Sequence, residues 1–163
     1  MRCTNDYGAT TSEHVVSKKL KFYLGNDRWN KMSENKPQNA EHRRLVKALI
    51  EELKRQGFEI TNAEFEGYQP CPEVEELVPT VKGYNRKKEY VVFGVAATCD
   101  ELGTQQTEDQ FKMFSSRFMR SGKSHGAAAP FCIAISKGCE KQLETCLKTL
   151  QLDRKKNIFL YAF

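Results

Sequence analysis

The sequence lacks a long hydrophobic run. No apolar stretch approaches the roughly 20 residues that a membrane-spanning helix needs. The first residues, MRCTNDYGATTSE, contain no hydrophobic segment of the kind that a signal peptide carries. We therefore expect a protein that does not enter a membrane and that stays in the cytoplasm.

Paired metal-binding motifs are absent too. The chain has six cysteines and three histidines, but it has no CxxC pair and no histidine at ligand spacing from a cysteine. This scatter argues against a zinc site. We predict that the cysteines are free thiols that fill the core, because a thiol packs as a small apolar side chain. They are Cys3, Cys71, Cys99, Cys132, Cys139 and Cys146.

A complete nucleotide-binding loop is also missing. The segment GKSHG at 122–126 contains the GKS of a phosphate-binding loop, but Arg117 stands where that motif needs its first glycine. The segment also follows a predicted helix and precedes a predicted strand, which reverses the order that the motif requires. We interpret it as a flexible basic loop.

What the sequence does contain is the composition of one folded domain. Of its 163 residues 39% are hydrophobic and 29% charged, which is enough for a sizeable core. The net charge is +5 and comes from basic clusters along the whole chain. Clusters on one face would attract a phosphate backbone, whereas scattered ones would only aid solubility. The clusters lie at 18–21, 43–44, 86–88, 117–123 and 154–156.

Hydrophobic periodicity predicts the elements. Residues 1–40 form an N-terminal appendage with a short helix capped by Thr10 and a polar linker, and residues 41–163 form the main domain. A helix with an apolar stripe from Leu45 to Leu53 ends at Gly57. A strand around Ile60 follows, and then a hairpin in which VPTVKGY and EYVVFGVAAT flank the turn NRKK.

The second half alternates helices and strands. A helix over 107–120, capped by Thr107, should bury Phe111, Phe114 and Phe118. A strand at 130–136, a helix at 138–151 and a last strand at 157–163 complete the order. This alternation predicts an α/β fold in which a mixed central sheet is flanked by helices.

Two short motifs of the hairpin suggest a resemblance to a known family. Pro79-Thr80 opens one extended run, and Val95-Ala96-Ala97 ends the other. With the order of elements, they resemble the PD-(D/E)XK superfamily of restriction-endonuclease-like nucleases, nearest to the small Holliday-junction-resolvase-like enzymes. In that family Pro-Asp begins the second strand and acid-x-Lys ends the third. Gln110 is similar to the glutamine of the Gln-x-x-x-Tyr motif in one branch. The resemblance covers about residues 41–163 and implies a restriction-endonuclease-like fold.

The catalytic groups of that family are not present. Its two carboxylates hold Mg²⁺, which activates water, and its lysine adds positive charge at the transition state. Here Thr80 supplies one neutral oxygen, and Val95 and Ala97 supply no ligand. The resemblance therefore implies an active site without catalytic residues, and we expect no cofactor.

Relocated acids would give a different function. Glu66, Asp100 and Glu101 lie near the hairpin in sequence and could bind Mg²⁺ in a metal-dependent endonuclease. Asp100 is five residues from Val95, an odd offset that places it on the opposite face of a strand. Glu101 has the right parity only if the strand continues that far.

Binding is the function that we predict. The resemblance suggests nucleic acid, DNA more than RNA, as the partner, and it suggests a dimer. A structural or protein-interaction subunit is the further alternative, which an exposed apolar patch would favour. The predicted nucleic-acid-binding residues are Lys82, Arg86, Lys87, Lys88 and Lys112.

Overall fold

A five-stranded sheet lies at the centre of the structure, a computed structural model that describes residues 40–163. The helices are α1 (Ala40–Arg55), α2 (Gln105–Ser115) and α3 (Glu140–Thr149). The strands are β1 (Glu59–Ala63), β2 (Val81–Asn85), β3 (Tyr90–Ala97), β4 (Phe131–Ile135) and β5 (Ile158–Ala162). The predicted order of elements and the predicted class, α/β with a mixed sheet flanked by helices, are confirmed. The predicted appendage helix after Thr10 lies outside the described residues.

The strands follow one another across the sheet in chain order. β1, β2 and β3 form an antiparallel meander, with Val81 opposite Gly94. β3, β4 and β5 are parallel, with Phe93 opposite Phe131. Each parallel connection needs a crossover, and α2 and α3 provide the two. The predicted antiparallel hairpin is therefore confirmed.

Helix α1 covers one face of the sheet. Its predicted apolar stripe is buried, and Gly57, with φ +84°, ends it as predicted. The helix approaches the sheet closely at Gly94, because a Cβ there would lie 2.9 Å from Cδ2 of Leu49. Val81, Val92 and Ala96 complete this side of the core. The stripe consists of Leu45, Val46, Leu49, Ile50 and Leu53.

Helices α2 and α3 cover the other face. Phe111 and Phe114 of α2 pack on Phe131, and Phe114 also stacks against Phe93 with ring centroids 5.3 Å apart. Val95 and Ala97, alternate residues of β3, face this cluster. Alternate residues of one central strand thus belong to two separate cores, which explains why VVFGV is almost continuously apolar.

Helix α2 is shorter than the sequence predicted. Its N-cap is Thr104, whose Oγ1 accepts the N–H of Thr107, so the predicted cap at Thr107 is wrong. The helix ends at Ser115 rather than at residue 120. Phe118 therefore leaves the helical stripe, and 63% of it is exposed instead of buried.

The cysteine prediction is partly wrong. Cys99, after β3, and Cys139, before α3, form a disulfide with their Cα atoms 5.5 Å apart. They meet because β3 and β4 are parallel neighbours whose carboxyl ends lie at the same edge of the sheet. The predicted free, buried thiols are confirmed for Cys71, Cys132 and Cys146. Burial raises the pKa of the Cys71 and Cys132 thiols to about 12.

Candidate nucleic-acid interface

Thr80, Val95 and Ala97, the three hairpin positions that the resemblance singled out, lie close together. Thr80 comes just before β2, and its Oγ1 accepts the backbone N–H of Ala96 at 3.1 Å. This bond continues the pairing of the two strands past Val81 and Gly94, where the β2–β3 ladder stops. The threonine hydroxyl therefore satisfies a backbone N–H of β3.

These positions are sealed inside the core. The exposed fractions are 4% for Thr80, 1% for Val95 and 0% for Ala97. Phe111 from α2 belongs to the same cluster, and Val74 and Leu77 from the loop before β2 pack against it. The side chains of Val95 and Ala97 offer no ligand atom, and their neighbours in the cluster are apolar.

Gln110 of α2 holds the loop that precedes β2. Its Nε2 donates a hydrogen bond of 2.8 Å to the carbonyl oxygen of Val78, two residues before Thr80. The glutamine predicted from the family motif thus lies next to the hairpin positions. Its amide holds the chain that covers them, which is a structural use of the side chain.

The alternative acids do not come together. Glu66 contacts the guanidinium of Arg43, and Asp100 is exposed. Glu101 accepts hydrogen bonds from the N–H of Thr98 at 2.8 Å and from Nδ1 of His42 at 3.0 Å. Within residues 40–163, no group of three metal-ligating side chains is arranged to hold an ion. The geometry of these acids offers no support for the relocated magnesium site.

A polar cluster that the sequence did not predict surrounds Glu101. Nε2 of His42 lies 3.9 Å from a carboxylate oxygen of Glu64, so two acids face one imidazole. Burial by itself would raise the pKa of Glu101, but the hydrogen bonds from His42 and Thr98 outweigh it and lower this pKa to about 2. His42 and Glu101 are 59 residues apart, so sequence spacing gave no signal for the contact.

The predicted nucleic-acid-binding residues separate into two regions. Lys82, half-buried in β2, follows Thr80 by two residues, and Lys112 is exposed on α2 beside Glu75 and Asp109. Residues 86–88 instead lie in the turn after β2, at the other end of the hairpin. Four residue positions of β2 and the turn separate Lys82 from Arg86, which at about 3.3 Å each is on the order of 13 Å. No hydrogen bond or ion pair of the described residues joins Lys82 or Lys112 to residues 86–88.

The turn at 86–88, called here the basic turn, is held in a defined conformation. Oδ1 of Asn85 accepts the N–H of Lys88 at 3.0 Å. Arg86 is bound to Glu59 by two hydrogen bonds of 2.6 and 3.1 Å. The Nζ of Lys88 lies 5.8 Å from the ring centroid of Tyr90. Lys87 and Lys88 are exposed and form no ion pair within the described residues.

A second basic segment packs against this turn. Residues 117–129, called here the basic ribbon, fold back on themselves through hydrogen bonds between Met119 and residues 126 and 127. Ser124 Oγ donates to the carbonyl oxygen of Lys88 at 2.8 Å, and the N–H of Lys123 donates to Glu89 at 3.0 Å. These two contacts join residues that are 36 and 34 positions apart in sequence. The basic turn and the basic ribbon therefore form one surface, which we call the basic end.

The GKS segment at 122–124 belongs to the basic ribbon. It lies between α2 and β4, as the sequence predicted, and it opens no helix. Lys123 donates through both its backbone N–H and its Nζ, 3.3 Å away, to the carboxylate of Glu89. These contacts lower the pKa of Glu89, first through the backbone bond. The segment is therefore a clamp between two loops, and its lysine is already paired.

Neither models of protein families, nor curated proteins, nor solved structures match this chain. Within the described part of the chain, no helix is long and apolar enough to cross a membrane.

Proposed function

We propose that this protein binds nucleic acid, DNA more than RNA, and does not cleave it. The single observation that carries this proposal is the basic end, where Lys87, Lys88 and Arg120 are exposed with no ion pair among the described residues. When such cations contact a phosphate backbone, they release the counterions that are condensed on it. This release favours binding. Two loops that are joined by hydrogen bonds and present such cations suit a phosphate backbone.

The absence of cleavage is supported by the hairpin positions. Thr80, Val95 and Ala97 stand where the resembling nucleases carry two acids and a lysine, and all three are buried and packed. The order of elements agrees with the resemblance to the restriction-endonuclease-like fold. This protein would then keep such a scaffold for binding, although fold alone does not dictate function.

Salt dependence tests the binding. Affinity for a DNA duplex should fall linearly on a log–log plot against salt, with a slope of about −0.9 for each phosphate neutralised. The variant Lys87→Ala, Lys88→Ala should flatten this slope by about 2 if both residues contact phosphates. Arg86 stays unchanged in this variant, because its charge already compensates Glu59.

A matched control comes from the opposite edge of the sheet. Lys137 and Lys141 are exposed and form no ion pair within the described residues, and they follow β4 rather than precede it. Lys137→Ala, Lys141→Ala removes the same charge and should leave the slope unchanged. If both double variants change the slope equally, the attraction is only the net charge of the chain. Cleavage of duplex, flap or four-way-junction DNA with Mg²⁺ or Mn²⁺ would contradict the proposal and favour an endonuclease.

A protein-interaction subunit is the second candidate. β5 lies at one edge of the sheet, and its Phe159 and Leu160 are 45% and 52% exposed. An edge strand with exposed apolar residues can pair with another strand. Sedimentation of the chain alone tests whether it associates with itself. Self-association that does not depend on salt, with no affinity for DNA, would favour this candidate over nucleic-acid binding.

A further inference from the structure

One shallow depression combines exposed aromatic rings with lysines. It has a volume of about 520 Å³ and lies between the end of α2, the base of the basic ribbon and the start of β5. Phe118 and Phe159 line it, and they are 63% and 45% exposed. Lys155 and Lys156 also line it, and none of its lining residues is acidic.

The walls of this depression are fixed by hydrogen bonds. Asn157 Nδ2 donates to the carbonyl oxygens of Ser115 at 3.0 Å and Ala129 at 2.9 Å, which joins β5 to α2 and to the ribbon. Nζ of Lys155 donates to Ser115 O at 3.2 Å and to Ser116 Oγ at 3.0 Å. This places a positive charge at the carboxyl end of α2, where the helix dipole favours it. These hydrogen bonds connect the three segments that surround the rings.

Lys156 differs from Lys155. It is exposed and makes no hydrogen bond or ion pair with its side chain among the described residues. Arg120, farther along the ribbon, is likewise exposed and unpaired there. Cations without an ion pair among the described residues therefore lie both at the depression (Lys156) and on the ribbon that contacts the basic turn (Arg120).

We propose that this depression binds an unpaired base of single-stranded nucleic acid, which stacks on Phe118 while Lys156 contacts the adjacent phosphate. Exposed aromatic rings alternating with cations are the features that bind single strands, because every base has a π-face and every linkage a charge. A paired base inside a duplex cannot reach the ring. This inference rests on the proposed nucleic-acid binding and adds a preference for single-stranded segments.

A second copy of the chain is the competing occupant of these rings. An interface that holds a stable dimer buries about 1,200–2,000 Å² and is depleted in lysine at its centre. The depression is small, and two lysines line it. Charge therefore favours a polyanion.

Ring-specific variants of Phe118 test the inference. Phe118→Leu keeps an apolar side chain but loses the ring, whereas Phe118→Tyr keeps the ring. A labelled oligothymidine and a duplex of equal length are titrated against each protein at one salt concentration. Loss of one stacked base should weaken single-strand binding about 5-fold to 100-fold for Phe118→Leu. Phe118→Tyr should bind as the unchanged protein does, and duplex binding should not change in either variant.

Matched controls separate stacking from general effects. Leu160→Ala removes an exposed apolar side chain that does not line the depression, and Lys141→Ala removes an exposed charge elsewhere. Neither should weaken single-strand binding, whereas Lys156→Ala should. A 2-aminopurine base in the oligonucleotide should lose fluorescence on binding to the unchanged protein and keep it with Phe118→Leu. Since Phe118 is exposed, its variants should unfold at the same urea midpoint.

The outcomes distinguish this inference from the proposal on which it rests. If the unchanged protein binds neither single strands nor duplex at low salt, the proposed function fails. If it binds both and Phe118→Leu leaves single-strand affinity unchanged, only the stacking site is overturned. A dimer in sedimentation that Phe118→Leu dissociates would assign the depression to a second copy.

Discussion

The two ends of the β2–β3 hairpin have opposite properties. At the end with Thr80 and Ala97, side chains are buried, the hydroxyl is used by the backbone and the nearby acids are bonded to His42 and Arg43. At the end with Lys87, the lysines of the turn are exposed, and several cations form no ion pair among the described residues. The end with Thr80 and Ala97 therefore has its polar groups bonded within the protein. The opposite end carries the cations that we propose to contact nucleic acid.

The comparison predicts very different tolerances to charge. Restoring the family pattern with Thr80→Asp, Val95→Glu and Ala97→Lys inserts three charges into a packed core. We expect this triple variant to lose on the order of 5 kcal/mol or more, comparable with the whole stability of a typical domain. Urea denaturation or loss of the far-ultraviolet dichroism would measure it.

A triple variant at the other end is the control. Lys87→Glu, Lys88→Glu and Arg120→Glu also changes three residues, but all of them are exposed. Each should change the unfolding free energy by no more than about 0.5 kcal/mol. If the core variant instead folds and is stabilised by Mg²⁺, a metal pocket has survived under α2, and the contrast between the two ends is wrong.

The disulfide should give the next largest effect. Cys99 and Cys139 close a loop with a sequence separation of 40 residues at the sealed end of the molecule. Restricting the unfolded chain in this way stabilises a protein by typically about 2–4 kcal/mol. Reducing agent should therefore lower the urea midpoint of the unchanged protein by a corresponding amount.

Two serine variants sharpen this measurement. Cys99→Ser, Cys139→Ser should have the lower midpoint with or without reducing agent. Cys146→Ser, in the helix that follows Cys139, removes a free thiol and should keep the response to reduction. An unchanged protein that does not respond to reductant while its thiols become accessible would contradict the stabilising role.

The fold could be predicted from sequence because its signals are local. The stripe of α1, the two runs of the hairpin and the apolar run of β4 each lie within a few residues, so periodicity alone determines them. Thr104 was missed as the cap because Thr107, three residues later, fits the same motif. Phe118 was misplaced because its spacing continues the helical stripe, although the helix itself ends at Ser115.

The candidate site could not be predicted from the sequence, because it is formed by contacts between residues that are far apart in the chain. The basic turn and the ribbon meet only because β3 and β4 are neighbours that start at the same end of the sheet. The pairs Cys99–Cys139 and His42–Glu101 have the same origin at the other end, where α1 begins and the parallel strands finish. Their sequence separations are 40 and 59 residues. The residue types predict where charge lies along the chain. Only the folded structure shows which of these charges form ion pairs.

The smallest effect concerns Glu101, and it distinguishes a structural acid from a ligand-binding one. Its pKa is lowered to about 2 from an ordinary value of 4.5 by His42 and Thr98. A lowered pKa in the folded state gives stability that is present above pH 4.5 and is lost as the pH falls toward 2. Because the side chain is 38% exposed, we expect solvent screening to limit the contribution to about 1 kcal/mol.

Glu101→Gln should therefore lower the unfolding free energy at pH 7 by about 1 kcal/mol. Its amide oxygen can still accept the N–H of Thr98, so the local backbone should keep its conformation. Between pH 4.5 and 2 the variant should lose less stability than the unchanged protein, because it has no carboxylate to protonate. Asp100→Asn, an exposed neighbour without an ion pair in the described chain, is the control and should follow the unchanged protein. If Glu101→Gln were neutral in stability but abolished nucleic-acid binding, the carboxylate would serve a ligand, and the sealed end would be functional after all.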